Sequence, residues 1–154
     1  MTKLREGEKA PTFTGLDQNS KSVSLSDFSS KNLILFFYPK DMTPGCTAEA
    51  CNLRDNFTKL KKKGFELLGI SPDSIVRHQK FIEKYNLPFK LIADEEKKIL
   101  QDYGVWGEKK MYGRSYMGVY RTTFIIDKEG TIIKIFLKVK TNDHSAQILS
   151  ELSL

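Results

Sequence analysis

Cysteine is scarce in this chain, and that scarcity bounds its chemistry. Two cysteines among 154 residues are too few for a disulfide-stapled secreted scaffold. Histidine is equally rare: only His78 and His144 occur, both distant in sequence from Cys46 and Cys51. A structural zinc site wants four Cys or His ligands at close spacing, so no metal is expected. No Cys-x-x-Cys is present, which disfavours a thioredoxin-type redox site. No stretch approaches the roughly 20 apolar residues of a membrane span, and residues 1–8 carry no apolar run of the signal-peptide kind. The expectation is a cytoplasmic protein whose thiols rest reduced, with no membrane partner. Repeats, low-complexity tracts and linkers are also missing, so residues 1–154 are read as one domain.

What is present suits a globular protein: 40% hydrophobic and 29% charged residues. A chain of this length buries roughly 68–70% of its unfolded surface, enough for a core without staples. The net charge is +6, and its densest cluster is Lys59, Lys61, Lys62 and Lys63. These lysines fall at the predicted end of a helix, where cations offset the dipole. With no recognition motif beside them, nucleic acid is not expected as a partner.

The two cysteines share one stretch, Tyr38-Pro39-Lys40-Asp41-Met42-Thr43-Pro44-Gly45-Cys46-Thr47-Ala48-Glu49-Ala50-Cys51. Before it, Leu33–Phe37 reads as a fully buried strand; after it, Cys46, Ala50, Leu53, Phe57 and Leu60 recur at helical spacing. Thr43 is a good N-cap and Pro44 a good first helical residue, since proline lacks an N–H that would go unpaired. Cys46 then lies in the first turn, where free N–H groups and the dipole favour a thiolate. The thiolate is the nucleophilic form, so position alone makes Cys46 a candidate for covalent chemistry. Five residues along a helix advance roughly 7.5 Å and turn roughly 140°, which separates the Cα atoms of Cys46 and Cys51 by about 8–9 Å. A disulfide tolerates no more than about 7 Å. The pair can bond only if the first turn unwinds or the Cys51 segment moves.

The remaining elements follow from pattern. Residues 10–25 read as a hairpin around Asp17–Ser20, and 32–37 as the central strand. The Cys46 helix is expected to run unbroken to about Lys63, with Gly64 as its stop. Then come a strand at Phe65–Ser71, a helix at Pro72–Tyr85 with Ile75, Phe81, Ile82 and Tyr85 inward, an extended Phe89–Ala93, and a helix at Asp94–Tyr103. Gly104–Gly118 shows no period and is read as a long ordered loop whose Trp106, Met111, Tyr112, Tyr116 and Met117 cover part of the molecule. Val119–Asp127 and Thr131–Val139 form a second hairpin, and Asp143–Leu152 a closing helix. The sum is an α/β fold: a central mixed β-sheet, helices on both faces, and an N-terminal β-hairpin extension.

Pro39-x-x-x-Thr43-x-x-Cys46 resembles the peroxiredoxin active-site motif. The longer run from Phe37 to Cys51 is similar to the Q-type subfamily, also called bacterioferritin comigratory protein, as are Val105–Gly113 and Arg121–Asp127. The resemblance spans nearly the whole chain. It implies a thioredoxin-like fold and a thiol peroxidase that needs no cofactor and acts on hydrogen peroxide and organic hydroperoxides. It assigns attack on the peroxide to Cys46 and places the Thr43 hydroxyl near the sulfur. Pro39 and Gly45 are assigned to the substrate pocket. It also implies that Cys51 resolves the sulfenic acid as an intramolecular disulfide, that thioredoxin or a similar dithiol resets the pair, and that the protein is a monomer. Spacing cannot choose among Arg54, Arg77, Arg114 and Arg121 for the arginine of such a site; the family's arginine-bearing strand points to Arg121. There Arg121, Thr123 and Ile125 share one strand face, and a guanidinium facing an apolar layer needs an anion such as a thiolate. Glu49 is read as a first-turn carboxylate that steadies the helix. A thiol–disulfide oxidoreductase acting on proteins and a redox sensor are the competing functions.

Overall fold

The computed structural model describes residues 1–154. In chain order the elements are β1 (Thr14–Leu16), β2 (Ser22–Ser24), β3 (Asn32–Phe37), α1 (Pro44–Asp55), α2 (Phe57–Lys62), β4 (Phe65–Ser71), α3 (Ile75–Tyr85), β5 (Lys90–Ala93), α4 (Lys98–Asp102), β6 (Trp106–Met111), β7 (Arg114–Val119), β8 (Thr122–Ile126), β9 (Ile132–Phe136) and α5 (His144–Glu151). Seven strands form one sheet in the order β2-β1-β5-β4-β3-β8-β9. β3, β4 and β5 are parallel, while β8, β9 and the β1–β2 hairpin add antiparallel edges.

The apolar run of β3 is the spine because both of its faces are covered, as the continuous hydrophobic pattern of a buried parallel strand requires. Its side chains alternate between two cores. Leu33, Leu35 and Phe37 meet Phe13 and, from α4, Ile99 and Leu100. Ile34 and Phe36 meet Cys46, Ala50 and Leu53 of α1, Leu60 of α2, Phe81 of α3, and Ile148 and Leu149 of α5. The mixed sheet with helices on both faces and an N-terminal hairpin is therefore the fold. No helix is long and apolar enough to cross a membrane.

Several boundaries differ from expectation, each for a local reason. The helix expected to reach Lys63 breaks at Asn56 (φ −109°, ψ 11°). The Asn56 side-chain amide donates to the Asn52 carbonyl at 2.9 Å, a carbonyl that also accepts the Asn56 backbone N–H at 3.2 Å, so side chain and backbone share one acceptor at the bend. α3 starts at Ile75 rather than Pro72, because Ser74 caps it by accepting the Arg77 N–H. α4 shrinks to Lys98–Asp102, since Lys97 is left-handed (φ 62°) and the Asp94 carboxylate takes the Leu100 N–H at 2.8 Å. The strand expected over Val119–Asp127 is interrupted at Tyr120 and Arg121, between β7 and β8.

Residues 104–118 are not a loop. β6 and β7 pair from Trp106↔Val119 to Met111↔Arg114, closed by Tyr112 (φ 54°) and Gly113 (φ 76°). Two successive positive φ angles are the mark of a type I′ hairpin turn. The expected covering role also fails for most of its side chains: Met111, Tyr112, Tyr116 and Met117 are exposed. Trp106 alone packs against a core, that of Leu33 and Phe37.

Candidate active site

The handover from β3 to α1 builds the site. Tyr38 still bonds the neighbouring strand through its N–H to the Ile70 carbonyl. The chain then leaves the sheet, passes half-buried Pro39, and enters α1 with Thr43 at the N-cap and Pro44 at the first position, as the sequence predicts. The Thr43 hydroxyl makes neither of its expected bonds. It gives no cap bond, and its proton goes to the Lys40 carbonyl at 2.7 Å rather than toward the sulfur. The first backbone bond of the helix runs from Thr47 N–H to Thr43 C=O at 2.9 Å. Pro44 has no N–H, so the unpaired donors at this helix start are those of Gly45 and Cys46.

Cys46 is 2% exposed and packs with Tyr38, Ala50 and Leu53. Of the four candidate arginines, Arg54 pairs with Asp55, Arg77 with Asp73, and Arg114 lies exposed at the start of β7. Arg121 reaches the sulfur: its Nη2 lies 3.4 Å from Cys46 Sγ, and its Nη1 donates to Glu49 Oε1 at 2.7 Å. Burial works against the charge on Arg121, but the Cys46 sulfur and the Glu49 carboxylate outweigh it, so its pKa lies above the ordinary arginine value. Glu49 is not the first-turn dipole partner expected from sequence. It is a buried carboxylate whose second oxygen, Oε2, has no partner. Burial raises its pKa to about 7, against the pull of Arg121. Lys109 of the β6–β7 hairpin brings a further cation near this cluster: burial and Arg121 lower its pKa while Cys46 raises it. Gly45 leaves the room these groups occupy, since a Cβ there would sit 3.1 Å from Arg121 Nη2.

Cys46 and Cys51 are both free thiols, Cys46 buried and Cys51 half-buried. Both lie within α1, so helical geometry holds them about 8–9 Å apart at Cα. Just beyond Cys51, Asn52 ties α1 to α5. Its Oδ1 accepts the Ser145 N–H at 2.8 Å, its carbonyl accepts the Ser145 hydroxyl at 3.3 Å, and its Nδ2 donates to the Asn142 carbonyl at 3.3 Å.

The chain that carries this helix start has close relatives among known proteins. The model of the AhpC/TSA family matches residues 7–135. Peroxiredoxin Bcp of Bacillus subtilis is 48% identical over 146 residues, 95% of this chain and 93% of the relative. The chain belongs to the AhpC/TSA family and is a peroxiredoxin. Solved relatives agree. The bacterioferritin comigratory protein of Xanthomonas campestris, captured as trapped intermediate and ligand complexes bearing on its alkyl peroxide reduction activity, superposes with a TM-score of 0.85 at 30% identity, covering 92% of this chain and 90% of that one. A cysteine-to-serine mutant of PrxQ from Xylella fastidiosa gives a TM-score of 0.92 at 27% identity over 99% of this chain and 98% of that one. The Q-type motif and the thioredoxin-like fold thus hold, and this peroxiredoxin is a peroxidase oxidoreductase.

Besides the Cys46 cluster, the peroxiredoxin carries a second buried polar group that motif reading passed over. Asp41, Asp73 and His78 are all buried, their ligand-type atoms within 4.8 Å of one another. Two carboxylates and an imidazole so placed could suggest a metal, but each atom already has a partner. Asp41 Oδ1 accepts from the Tyr38 hydroxyl at 2.6 Å, and Oδ2 bonds His78 Nδ1 at 2.6 Å. Asp73 Oδ2 accepts from the Asp41 N–H at 2.8 Å and the Ser71 hydroxyl at 2.6 Å, while Oδ1 takes Arg77 Nε at 2.9 Å. These groups hold a loop. A sequence signal existed: Ile75, His78, Ile82 and Tyr85 are spaced as one inward helix stripe, and a histidine on such a stripe demands a buried partner.

Proposed function

We propose that this peroxiredoxin reduces hydrogen peroxide and organic hydroperoxides with Cys46 as nucleophile, Cys51 as resolving thiol and a thioredoxin-type dithiol as reductant. The observation that carries the reading is the approach of Arg121 Nη2 to Cys46 Sγ at 3.4 Å beside the unpaired N–H groups of Gly45 and Cys46. A guanidinium there favours the thiolate. Fixed donors spread charge onto the oxygens as it develops, usually the largest catalytic contribution. The thiolate attacks one peroxide oxygen, forming S–O and breaking O–O. The leaving oxygen takes a proton and departs as water or alcohol. Because the Thr43 proton is committed to Lys40, the lone pairs of that hydroxyl are free to accept the O–H of the incoming peroxide. Pro39 and Gly45 bound the pocket, Gly45 by leaving space for the guanidinium. The alkyl peroxide reduction attributed to the Xanthomonas campestris relative supports organic hydroperoxides as substrates.

Cys46 is then a sulfenic acid. The Cys51 thiolate attacks its sulfur, releasing hydroxide and forming a disulfide, after the first turn of α1 unwinds. Two exchange steps with an external dithiol return both thiols. The enzyme acts as a single-domain monomer in the reducing cytoplasm, where both thiols rest reduced.

Thiol counting tests the scheme. One equivalent of peroxide should take the free thiols from two to none, and reduced thioredoxin should restore them. Cys51→Ser should complete one turnover, fail to cycle, and drift to sulfinic acid at Cys46. Survival of both thiols after peroxide would overturn the nucleophile assignment. Full cycling by Cys51→Ser would overturn the resolving one.

A further inference from the structure

We propose that Asp41 and His78 are positioning residues for the peroxidase reaction, a buried pair that fixes the loop between β3 and α1 and so aims the N–H groups of Gly45 and Cys46. The proposal rests on the reading of Cys46 as the nucleophile.

The loop needs fixing. Met42, immediately before the N-cap, is left-handed with φ 70°. That region is uncommon for a non-glycine residue, and outside a tight turn it is kept where the surroundings hold it. They do so through Asp41. The Asp41 N–H is held by Asp73 Oδ2 at 2.8 Å and the Asp41 carbonyl by Arg77 Nη2 at 3.0 Å. Both side-chain oxygens are held as well, by Tyr38 and His78. Thus the end of β3, the β4–α3 connection and α3 all grip one residue. His78 is itself anchored, with Nε2 lying 2.9 Å from the Ile92 carbonyl of β5. A carbonyl only accepts, so Nε2 carries a proton. Nδ1 therefore meets Asp41 across a bond holding one further proton. The ring cannot rotate without losing a bond at each end. Met42 turns the chain from this fixed point into Thr43 and Pro44, and the two free donors follow within the next two residues. Misplacement of catalytic groups by about 1 Å can cost ~10²-fold in rate.

The chemistry supplies a discriminating pair of variants. In Asp41→Asn, the amide oxygen still accepts from Tyr38, and the amide N–H donates to an unprotonated Nδ1 while Nε2–H keeps its bond to Ile92. Every hydrogen bond survives with no charge. Asp41→Ala leaves the Tyr38 hydroxyl, the His78 ring and the loop without that partner.

The test measures the two halves of the cycle separately in full-length protein. For oxidation of reduced enzyme by hydrogen peroxide, Asp41→Ala should lower the second-order rate constant ~10²-fold. Asp41→Asn should stay within about 3-fold of the parent, because hydrogen-bond geometry is the quantity at stake. Reduction of the preformed disulfide by reduced thioredoxin should change less than about 3-fold in either, since the first turn is already unwound there. Tyr38→Phe, which removes one hydroxyl, should slow oxidation by roughly 5-fold and serves if Asp41→Ala does not fold. Asp41→Ala or Tyr38→Phe oxidised at the parental rate would overturn the proposal, as would Asp41→Asn as slow as Asp41→Ala. If the parent's Cys46 does not react with peroxide at all, the nucleophile reading fails and takes this proposal with it. If the parent reacts and the variants match it, only the positioning role fails.

Discussion

Two buried ionic groups flank the same short loop, and they differ in completeness. Around Asp41 and His78 each carboxylate oxygen and ring nitrogen is bonded. Around Cys46, Glu49 Oε2 has no partner, the sulfur has one side-chain donor, and two N–H groups are unpaired. A satisfied polar network rigidifies. An unsatisfied one keeps free valences that a substrate can use, at the cost of desolvated groups. The position of charge alone would not separate the two, since both mix an anion, a cation and burial. What separates the Cys46 cluster from the Asp41 network is the set of bonds left unmade.

The contrast is broken most severely at Arg121. Arg121→Ala removes the donor to the sulfur and leaves Glu49 buried without its cation; peroxide oxidation of Cys46 should fall by about 10²–10³-fold, read by rapid-mixing kinetics. Arg121→Lys should recover little, because one ammonium cannot reproduce a fork that spans sulfur and carboxylate.

The next effect is on stability against pH. Glu49 has a folded pKa of about 7 against an ordinary 4.5. The folded protein holds this proton where the unfolded chain has released it. The contribution is complete below pH 4.5 and is lost as pH rises toward 7. Urea unfolding of Glu49→Gln and the parent across this range should show the variant gaining on the parent with rising pH, by about 2–3 kcal/mol at most. A flat difference would show that Arg121 keeps the carboxylate ionised throughout. Buried His144 is common to both proteins and cancels from that difference. Its Nε2 bonds the Thr123 hydroxyl at 2.8 Å, and burial lowers its pKa to about 4.

The smallest effect belongs to Gly45→Ala. The new Cβ would stand 3.1 Å from Arg121 Nη2 and 3.9 Å from Cζ, so the guanidinium must retreat by a few tenths of an ångström. Oxidation should slow by roughly 3–10-fold with the melting temperature nearly unchanged. A rate equal to the parent's would mean the arginine has slack that the static geometry hides.

How much of this was legible in the sequence follows the range of the interactions. The β3 spine, the Thr43–Pro44 helix start and the reach of Arg121 rest on local pattern or on a contiguous motif, and they stand in the structure. The Asp41–His78 pair joins residues 37 apart, and nothing local marks them as partners. The break at Asn56 coincides with a side-chain bond to the Asn52 carbonyl that the helical spacing does not announce. The β6–β7 turn uses tyrosine at φ 54° where asparagine or aspartate would have announced it.

The interruption at Asn56 also decides how far damage spreads when α1 frays. α2 begins afresh at Phe57, so melting that starts at Pro44 runs out of helix at Asp55. Short of that limit, the moorings of Asn52 to Ser145 and Asn142 keep Cys51 at its berth. In the cycle proposed above, the Cys46 sulfur would thus have to travel only the length of a short tether to meet a thiol that stays in place.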